Sequence, residues 1–265
     1  MYTAAMAHID KTVPGSFCWM ELSTADQNAA KAFYTSLFGW TAKDQPMGPG
    51  QFYTMFCLDD REVAAGYTMM KEEAGMPPHW NLYIAVESAD AAAARVAELG
   101  GKVLAGPFDV FDAGRMAVIQ DPTGAIVHVW QPLKHGGIRI SNVNGAFCWA
   151  DLNTPNAAAA SAFYSGLFGW KIAPGEHDNS GYLHIKNGDT FIGGIPSPEQ
   201  IPPNTPPHWM LYFQVDDCDA SVAKATVLGA HTLMPPMTLE GVGRFAVIAD
   251  PQGGAFSLFT PAPRG

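Results

Sequence analysis

The sequence predicts an α+β protein made of two tandem domains, each built from two strand–helix–strand units. The first observation is a repeat, since residues 15–40 and 145–170 are identical at 15 of 26 positions, at an offset of 130. Two further blocks recur at an offset of 129, namely PPHWNLYIAV from Pro77 with PPHWMLYFQV from Pro206, and GRMAVIQDPTG from Gly114 with GRFAVIADPQG from Gly243. A near-constant offset indicates duplication of a whole domain. We place the domains at 1–130 and 145–265, with a linker at 131–144 that has a Gly-Gly step and no periodicity.

The first unit of each copy begins with a strand and a helix. Residues 16–23 alternate as a strand does, and we expect the helix to open at Thr24, where Gln27 completes a capping box. Apolar residues recur at helical spacing from Ala29 to Leu37, and Gly39 occupies the position of a left-handed helix end. Two further strands are expected around 51–58 and 61–70.

The same pattern then repeats within the copy. A strand over 79–86 precedes a helix over 90–99 that ends at Gly100-Gly101. The run Asp121-Pro122-Thr123-Gly124 suits a tight hairpin, with Pro second and Gly last. The remaining strands are expected at 102–108, 115–120 and 125–131.

Composition excludes several classes of function. A net charge of −10 argues against nucleic acid and against an anionic membrane surface. No apolar run approaches the roughly 20 residues of a bilayer helix, and His8 and Asp10 make the first residues unlike a secretory signal. The four cysteines form no CxxC pair and are expected to be buried free thiols. We therefore expect a cytoplasmic protein.

The shared frame, with its FCWxxL strand, its AFYxxLFGW helix and its GRxAVIxDPxG hairpin, resembles the vicinal oxygen chelate superfamily. That superfamily includes glyoxalase I, bleomycin-resistance proteins and type I extradiol dioxygenases. The frame is most similar to two-domain, glyoxalase-like actinobacterial proteins that are commonly described as hydroxylases. The resemblance covers almost the whole chain and implies two βαβββ units per domain that form a cup-shaped curved sheet.

Members of this superfamily commonly hold a metal ion in the cup, and the resemblance carries three ligand positions onto each domain. Tryptophan and methionine are poor ligands for the hard divalent ions of such sites, so we expect no metal and no other cofactor. A displaced site that uses His79 or His208, with His128 and Glu21, is the open alternative. The carried-over positions are Trp19, Asn81 and His128 in the first domain and Trp149, Met210 and Ser257 in the second.

The resemblance also implies which side chains line each cup. An aromatic box with a few polar groups suits a flat organic molecule, so we expect a small-molecule ligand. The first cup is expected to contain Phe17, Trp19, Glu21, Asn81, Tyr83, His128 and Trp130. The second is expected to contain Trp149, Asp151, Met210, Tyr212 and Ser257.

Two functions remain open at this point. In the first, Glu21 is the base, His128 its acid or orienting partner and Tyr83 an oxyanion donor, in metal-independent chemistry on an aromatic or carbonyl-bearing substrate. Natural-product tailoring and aldehyde detoxification both fit this chemistry. In the second, the aromatic walls only bind and sequester a metabolite or antibiotic. The first cup is favoured for catalysis because the second has Ser257, and no histidine, at the position that corresponds to His128.

Structural interpretations also stand for the same residues. Trp19 and Trp149 can be plain packing residues, and His128 can be a structural histidine. Arg115 and Arg244 are more typical of pairing with an acid at a domain edge than of binding an anionic ligand. Pairing of two chains into a homodimer is left open.

Overall fold

A computed structural model describes residues 8–73, 75–176 and 180–263. Each half of the chain supplies eight strands and two helices. The first half contains β1 (Phe17–Thr24), α1 (Gln27–Phe38), β2 (Thr41–Gly48), β3 (Gln51–Leu58), β4 (Arg61–Thr68), β5 (His79–Ala85), α2 (Ala89–Val96), β6 (Lys102–Val110), β7 (Gly114–Gln120) and β8 (Ile126–Pro132). The second contains β9 (Phe147–Asn153), α3 (Ala157–Phe168), β10 (Lys171–Pro174), β11 (Leu183–Asn187), β12 (Thr190–Ile195), β13 (His208–Gln214), α4 (Cys218–Val227), β14 (His231–Leu239), β15 (Gly243–Ala249) and β16 (Ala255–Pro261).

The strands form two eight-stranded sheets with the same order. The first sheet runs β2-β3-β4-β1-β5-β8-β7-β6, and the second repeats this order as β10-β11-β12-β9-β13-β16-β15-β14. Within each βαβββ unit the first and last strands are parallel, as in β1 with β4, and the two units join through antiparallel β1 and β5. The expected α+β architecture of paired βαβββ units with curved sheets is therefore confirmed.

The strand β2 is the element that sequence patterning missed. Its residues TAKDQPMG are mostly exposed, and it pairs only with β3 at the edge of the sheet. An edge strand with little buried surface has no alternating apolar residues to reveal it, because its stability comes from backbone pairing.

Helix α1 begins two residues later than the capping box predicts. The carboxylate of Asp26 accepts hydrogen bonds from the backbone N–H groups of Asn28 and Ala29, so Asp26 is the N-cap. Thr24 instead ends β1, and its buried hydroxyl has no hydrogen-bond partner among the described residues. The side chain of Gln27 donates to Thr54 and the Gly66 carbonyl rather than closing a capping box. The predicted C-terminus is confirmed, with Gly39 at φ 73°.

The helix-covered faces of the two sheets pack against each other. Tyr34 of α1 lies against Trp80 of the first sheet and Phe256 of the second, with ring centroids 5.3 and 5.6 Å away. Two matched hydrogen bonds cross the contact, since the indole of Trp40 donates to the Gly145 carbonyl and that of Trp170 donates to the Gly15 carbonyl. The opposite, concave faces of the sheets are therefore the ones left to line cups.

The expected linker is packed rather than free. The Ile138 N–H donates to the Cys18 carbonyl at 2.8 Å, and the Arg139 N–H donates to the Glu62 carbonyl. Gly137 passes so close to β1 that a Cβ there would meet the Cys18 carbonyl oxygen at 2.2 Å, with φ at +99°. The linker therefore crosses the first sheet at a fixed place.

No helix in the described parts of the chain is both long and apolar enough to cross a membrane. All four cysteines are free thiols, and Cys18, Cys57 and Cys218 are buried while Cys148 is half-buried. The expectation of free thiols is confirmed, although Cys148 is less buried than the pattern suggested.

Candidate functional site in the C-terminal cup

Each cup holds a buried carboxylate that is bonded to two tyrosines and lies beside a tryptophan. In the second cup, Asp151 accepts hydrogen bonds from Tyr182 Oη at 2.6 Å and Tyr212 Oη at 2.9 Å. The indole N–H of Trp149 donates to Asp151 Oδ1 at 3.0 Å and to Tyr182 Oη at 2.9 Å. The strand β9 therefore presents Trp149 and Asp151 to the same polar cluster, as the two-residue spacing predicts.

The first cup has the same arrangement with a longer acid. Glu21 accepts from Tyr53 Oη at 2.7 Å and from Tyr83 Oη at 2.8 Å, while the Trp19 indole donates to Tyr53 Oη at 2.8 Å. In each domain, the carboxylate of the Trp-x-acid motif therefore accepts from one tyrosine of the first βαβββ unit and one tyrosine of the second.

Sequence analysis missed one tyrosine of each cluster. Tyr53 on β3 and Tyr182 just before β11 lie 129 residues apart, the same offset that relates Tyr83 to Tyr212. Flanking residues differ between FYTMF and GYLHI, so only a position-by-position alignment of the two copies could have found the pair.

Burial dominates the ionisation of both acids. It raises the pKa of Asp151, while the hydrogen bonds from Tyr182, Tyr212 and Trp149 oppose that rise. Burial likewise raises the pKa of Glu21 against the hydrogen bonds from Tyr53 and Tyr83. A carboxylate with a raised pKa is a better base than an ordinary aspartate or glutamate.

The expected pair of Glu21 and His128 is not brought together by a hydrogen bond. Tyr83 lies between them, since its hydroxyl is bonded to Glu21 and its ring packs edge-on against His128, with centroids 4.4 Å apart. His128 Nδ1 is buried without a hydrogen-bond partner in the described residues. Burial, with a smaller contribution from His79, lowers the pKa of His128 to about 3, so the imidazole is neutral at physiological pH.

The first cup is filled by the chain itself. His135 of the linker packs edge-on against Trp19 at 4.4 Å between ring centroids, and its carbonyl accepts from the Trp130 indole at 3.0 Å. Burial lowers the pKa of His135 to about 4, so an uncharged ring occupies this position. None of the six side chains Trp19, Glu21, Asn81, Tyr83, His128 and Trp130 is more than 9% exposed.

Further polar bonds close the first cup at its other end. The amide of Asn81 donates to Ser23 Oγ at 2.9 Å, which in turn donates to Tyr67 Oη. Tyr67 donates to Glu73 of the short 3-10 turn at 2.6 Å. Asn81 is thus committed to an internal chain of hydrogen bonds.

A cavity of about 2040 Å³ lies in the second cup. Four of the five residues expected there line it, namely Trp149, Asp151, Met210 and Tyr212. The fifth, Ser257, is fully buried beside Tyr212 in the sheet. The cavity is therefore found in the cup that the sequence did not favour, because the lack of a second histidine says nothing about which cup the linker fills.

Phe17 does not line the first cup, so that expectation is wrong. The pairing of β1 with β5 slips between Phe17 and Trp19, where Phe17 faces Ile84 and Trp19 faces Tyr83. This bulge turns the Phe17 ring towards the other domain, where it meets Trp209 at 5.4 Å and Trp170 at 5.5 Å. There its side chain reaches the edge of the C-terminal cavity.

The positions at which related folds commonly hold a metal do not suit one here. An indole nitrogen has no free lone pair for coordination, and those of Trp19 and Trp149 already donate hydrogen bonds. Nowhere in residues 8–73, 75–176 and 180–263 do three or more His, Cys, Asp or Glu side chains form a group that could hold a metal ion. The displaced set of His79, His128 and Glu21 is accordingly not assembled.

The two repeated arginines take the structural role. Arg115 bonds Asp90 at 2.7 Å and Asp109 at 2.9 Å, and Arg244 bonds Asp219. The pairs with Asp90 and Asp219 link the first turn of a helix to the hairpin, and the pair with Asp109 links β7 to β6.

Comparison with known proteins agrees with this fold. A model of the Glyoxalase/Bleomycin resistance protein/Dioxygenase superfamily matches residues 9–129, and a model of the glyoxalase-like domain matches residues 149–259. A Mycobacterium bovis protein named "Putative glyoxylase CFP32" is 44% identical over 253 residues, which cover 93% of this chain and 95% of that protein. This chain belongs to the glyoxalase/bleomycin resistance/dioxygenase superfamily. The resemblance stated from the motifs is confirmed.

Another curated relative and two solved structures match at lower sequence identity. The "Anthracycline biosynthesis protein DnrV" of Streptomyces peucetius is 36% identical over 263 residues, covering 92% of this chain and 93% of that protein. The Mn(II)-bound glyoxalase from Novosphingobium aromaticivorans superposes with a TM-score of 0.65 at 16% identity, over 93% of this chain and 82% of that one. The 2,3-dioxygenase LapB from Pseudomonas sp. KL28 gives 0.66 at 12% identity, over 96% and 95%. These two structures share the fold with this chain.

Proposed function

We propose that this chain binds a flat, aromatic or carbonyl-bearing small molecule in the C-terminal cup and moves a proton there through Tyr182, Tyr212 and Asp151. The observation that carries the proposal is a cavity of about 2040 Å³ built around one buried carboxylate. The other acids among its described lining residues, Asp10 and Glu240, are exposed.

The walls of the cavity suit a broad, flat ligand. Met210, Met234 and Met237 line it together with Trp149 and Phe245. Methionine adapts to irregular shapes and aromatic rings stack on planar ligands, which together favour a fused-ring molecule. The name of the Streptomyces peucetius relative, an anthracycline biosynthesis protein, points to the same class of ligand.

The cluster provides a route for a proton. Both tyrosine hydroxyls donate to Asp151, and Tyr182 Oη also accepts from the Trp149 indole, so Tyr212 Oη is the tyrosine oxygen placed to accept a hydrogen bond from a ligand hydroxyl. When the ligand O–H proton passes to the tyrosine oxygen, the tyrosine's own proton passes to the carboxylate. The ligand becomes an oxyanion, Asp151 becomes neutral, and the tyrosine is unchanged.

We place this chemistry in the second cup rather than at Glu21, Tyr83 and His128. Tyr83 separates the carboxylate from the imidazole, and the linker ring of His135 packs into that cup. The proposal needs no metal or other cofactor, because Trp149, Met210 and Ser257 at the family's ligand positions of this cup are poor metal ligands, and the tyrosine–aspartate relay involves only proton transfer.

One observation favours a second candidate, sequestration without turnover. Both oxygens of Asp151 already accept hydrogen bonds, which leaves the carboxylate satisfied as an anchor for the tyrosines. In this case the tyrosines and aromatic walls hold the ligand and no proton leaves it.

The test compares matched variants of the two cups. Thermal-shift and fluorescence titrations with 9,10-anthraquinone and 2-hydroxyanthraquinone are run on wild type, Trp149→Ala and Trp19→Ala. We expect a ligand-dependent rise in Tm for wild type and for Trp19→Ala, because Trp19 lies in the filled cup, and a loss of that rise in Trp149→Ala. No rise with either compound, or equal loss in both variants, would contradict the proposal.

The same ligands separate catalysis from sequestration. The absorption band of 2-hydroxyanthraquinone reports deprotonation of the bound hydroxyl. We expect the band of the anion on wild type and that of the neutral phenol on Asp151→Asn, with binding retained in both. A neutral phenol on wild type would favour sequestration.

A further inference from the structure

A second polar group lies on the same wall of the C-terminal cavity as Asp151. In the pairing of β9 with β13, Asn153 lies opposite His208, and Asp151 lies opposite Met210. All four line the cavity. Because side chains two residues apart share a face, Asn153 follows Asp151 along this wall at about 7 Å, twice the rise of one strand residue.

The orientation of the Asn153 amide is fixed by a chain of two hydrogen bonds. The carbonyl oxygen of Pro206 can only accept, so His208 Nδ1, at 2.8 Å from it, carries the proton. Burial lowers the pKa of His208, so the ring is neutral and its Nε2 is an acceptor. Asn153 Nδ2, at 3.1 Å, therefore donates to His208 Nε2.

This chain decides which atom Asn153 offers to a ligand. With Nδ2 turned to the histidine, the amide oxygen Oδ1 points away from it. Oδ1 makes no hydrogen bond within the described residues, and Asn153 is half-buried at the cavity wall. Because the amide is already held in one orientation, it accepts a hydrogen bond at a defined place and loses little further rotational freedom on binding.

The first cup lacks an equivalent acceptor. Ser23 stands there in place of Asn153, and its hydroxyl accepts from Asn81 and donates to Tyr67. His79 keeps the bond from Nδ1 to the Pro77 carbonyl at 2.8 Å. The duplication thus preserved the histidine, while only the second copy combines it with an amide whose oxygen is free.

We propose that Asn153, oriented by His208, is a second recognition point of the C-terminal cavity that selects ligands with a second hydroxyl besides the one bound at the tyrosine–Asp151 cluster. The inference rests on the proposed function and makes it more specific. The ligand class is a fused-ring aromatic phenol with two hydroxyl groups on one edge, because the tyrosine oxygen and Asn153 Oδ1 both accept hydrogen bonds.

The test pairs the ligand hydroxyl with the protein amide. Dissociation constants of 2-naphthol and 2,7-dihydroxynaphthalene are measured by fluorescence quenching for wild type, Asn153→Ala and, as the matched control in the other cup, Ser23→Ala. We expect Asn153→Ala to weaken binding of the dihydroxy compound about three- to tenfold, the effect of one neutral hydrogen bond, and to change binding of 2-naphthol less than twofold. Ser23→Ala should change neither.

A second variant tests the orienting role of His208. In His208→Leu the amide is free to turn, so the preference for 2,7-dihydroxynaphthalene over 7-methoxy-2-naphthol should fall to near unity, whereas wild type should favour the dihydroxy compound. Because both ligands are measured on the same variant, a general loss of stability would weaken both and would leave their ratio unchanged.

The outcomes separate the two proposals. If both compounds bind wild type and Asn153→Ala weakens both equally or neither, the role of Asn153 is wrong while the aromatic-ligand proposal stands. If His208→Leu keeps the wild-type preference, the orienting role is wrong. If neither compound binds wild type, the proposed function fails and this inference fails with it.

Discussion

Asp151 and Glu21 illustrate how a single carboxylate is kept inside an aromatic cup. An unpaired buried carboxylate is costly, and here two tyrosine hydroxyls supply most of the compensation. Burial still raises the pKa of both acids, so the folded protein holds their protons more tightly than the unfolded chain does.

The first prediction follows from that difference. Because the folded pKa of Asp151 is raised, its contribution to the free energy of unfolding is greatest below the ordinary aspartate pKa of about 3.9 and declines as the pH rises through the folded pKa. Wild type should therefore lose stability relative to Asp151→Asn on going from pH 4 to pH 7. The slope is at most about 1.4 kcal/mol per pH unit, and urea unfolding at each pH measures it.

Glu21→Gln serves as the matched control, since burial raises the pKa of Glu21 in the same way. The stability of wild type relative to Glu21→Gln should also fall as the pH rises from 4 to 7. A wild-type stability that rises relative to both variants over this range would contradict the raised pKa values.

The second prediction concerns His128, whose pKa burial lowers to about 3. Below pH 6.5 the unfolded chain binds a proton that the folded imidazole does not, so folding becomes less favourable as the pH falls towards 3. The His128→Leu variant should lose less stability than wild type between pH 7 and pH 5. In NMR spectra the imidazole of His128 should show no titration over that range, and a midpoint near 6.5 would show that the ring is accessible to water.

At the scale of elements, α1 shows that capping depends on geometry more than on a sequence pattern. Asp26 accepts hydrogen bonds from two N–H groups of the first turn. Thr24 is of a residue type that commonly caps helices, but it lies in the last position of β1. The pattern S/T-x-x-E/Q matches Thr24 with Gln27 and does not match Asp26, which has Ala29 three residues on, so the pattern selected the wrong residue.

The third prediction compares these two residues. Asp26→Ala should destabilise the protein by about 1 kcal/mol through loss of the N-cap. Thr24→Val should be neutral or stabilising, since it replaces a buried hydroxyl that has no partner among the described residues. Urea unfolding measures both, and a larger loss for Thr24→Val would restore the role of Thr24 as cap.

The bulge in β1 is a second feature of this scale. Strict alternation predicts that Phe17, Trp19 and Glu21 share one face, and the pairing with β5 keeps only Trp19 and Glu21 there. The slip between Phe17 and Trp19 is a property of two strands together. One strand's sequence does not contain it.

At the scale of the whole molecule, the two domains are joined by matched polar contacts within an aromatic interface. Tyr34 Oη donates to Asp250 Oδ2 at 2.8 Å and accepts from the Trp80 indole at 3.1 Å. In the other half, Tyr164 accepts from the Trp209 indole at 3.0 Å, and the charge of Asp121 contributes to its raised pKa. Each DPxG hairpin thus faces a tyrosine of the other domain.

The fourth prediction tests this interface. Tyr34→Phe leaves Asp250 Oδ2 without its tyrosine donor and the Trp80 indole without an acceptor, so it should cost about 1–3 kcal/mol of unfolding free energy. Unfolding should remain a single transition followed equally by circular dichroism and tryptophan fluorescence, because the buried aromatic contacts still join the domains. A change below 0.5 kcal/mol would show that water satisfies these groups.

The family resemblance implied the βαβββ order. The duplication, most strand positions and the presence of a carboxylate beside each first-strand tryptophan could be predicted from the residues alone. These features follow from local periodicity and from repetition, which a single chain records directly. Tertiary structure decided the rest. The tyrosine partners of Asp151, the slip of Phe17 and the filling of the first cup by His135 all depend on which distant residues meet. The linker packs His135 into the first cup, and the cavity therefore lies in the second. The repeated sequence could not predict this difference, because the first-strand motif is nearly the same in both domains.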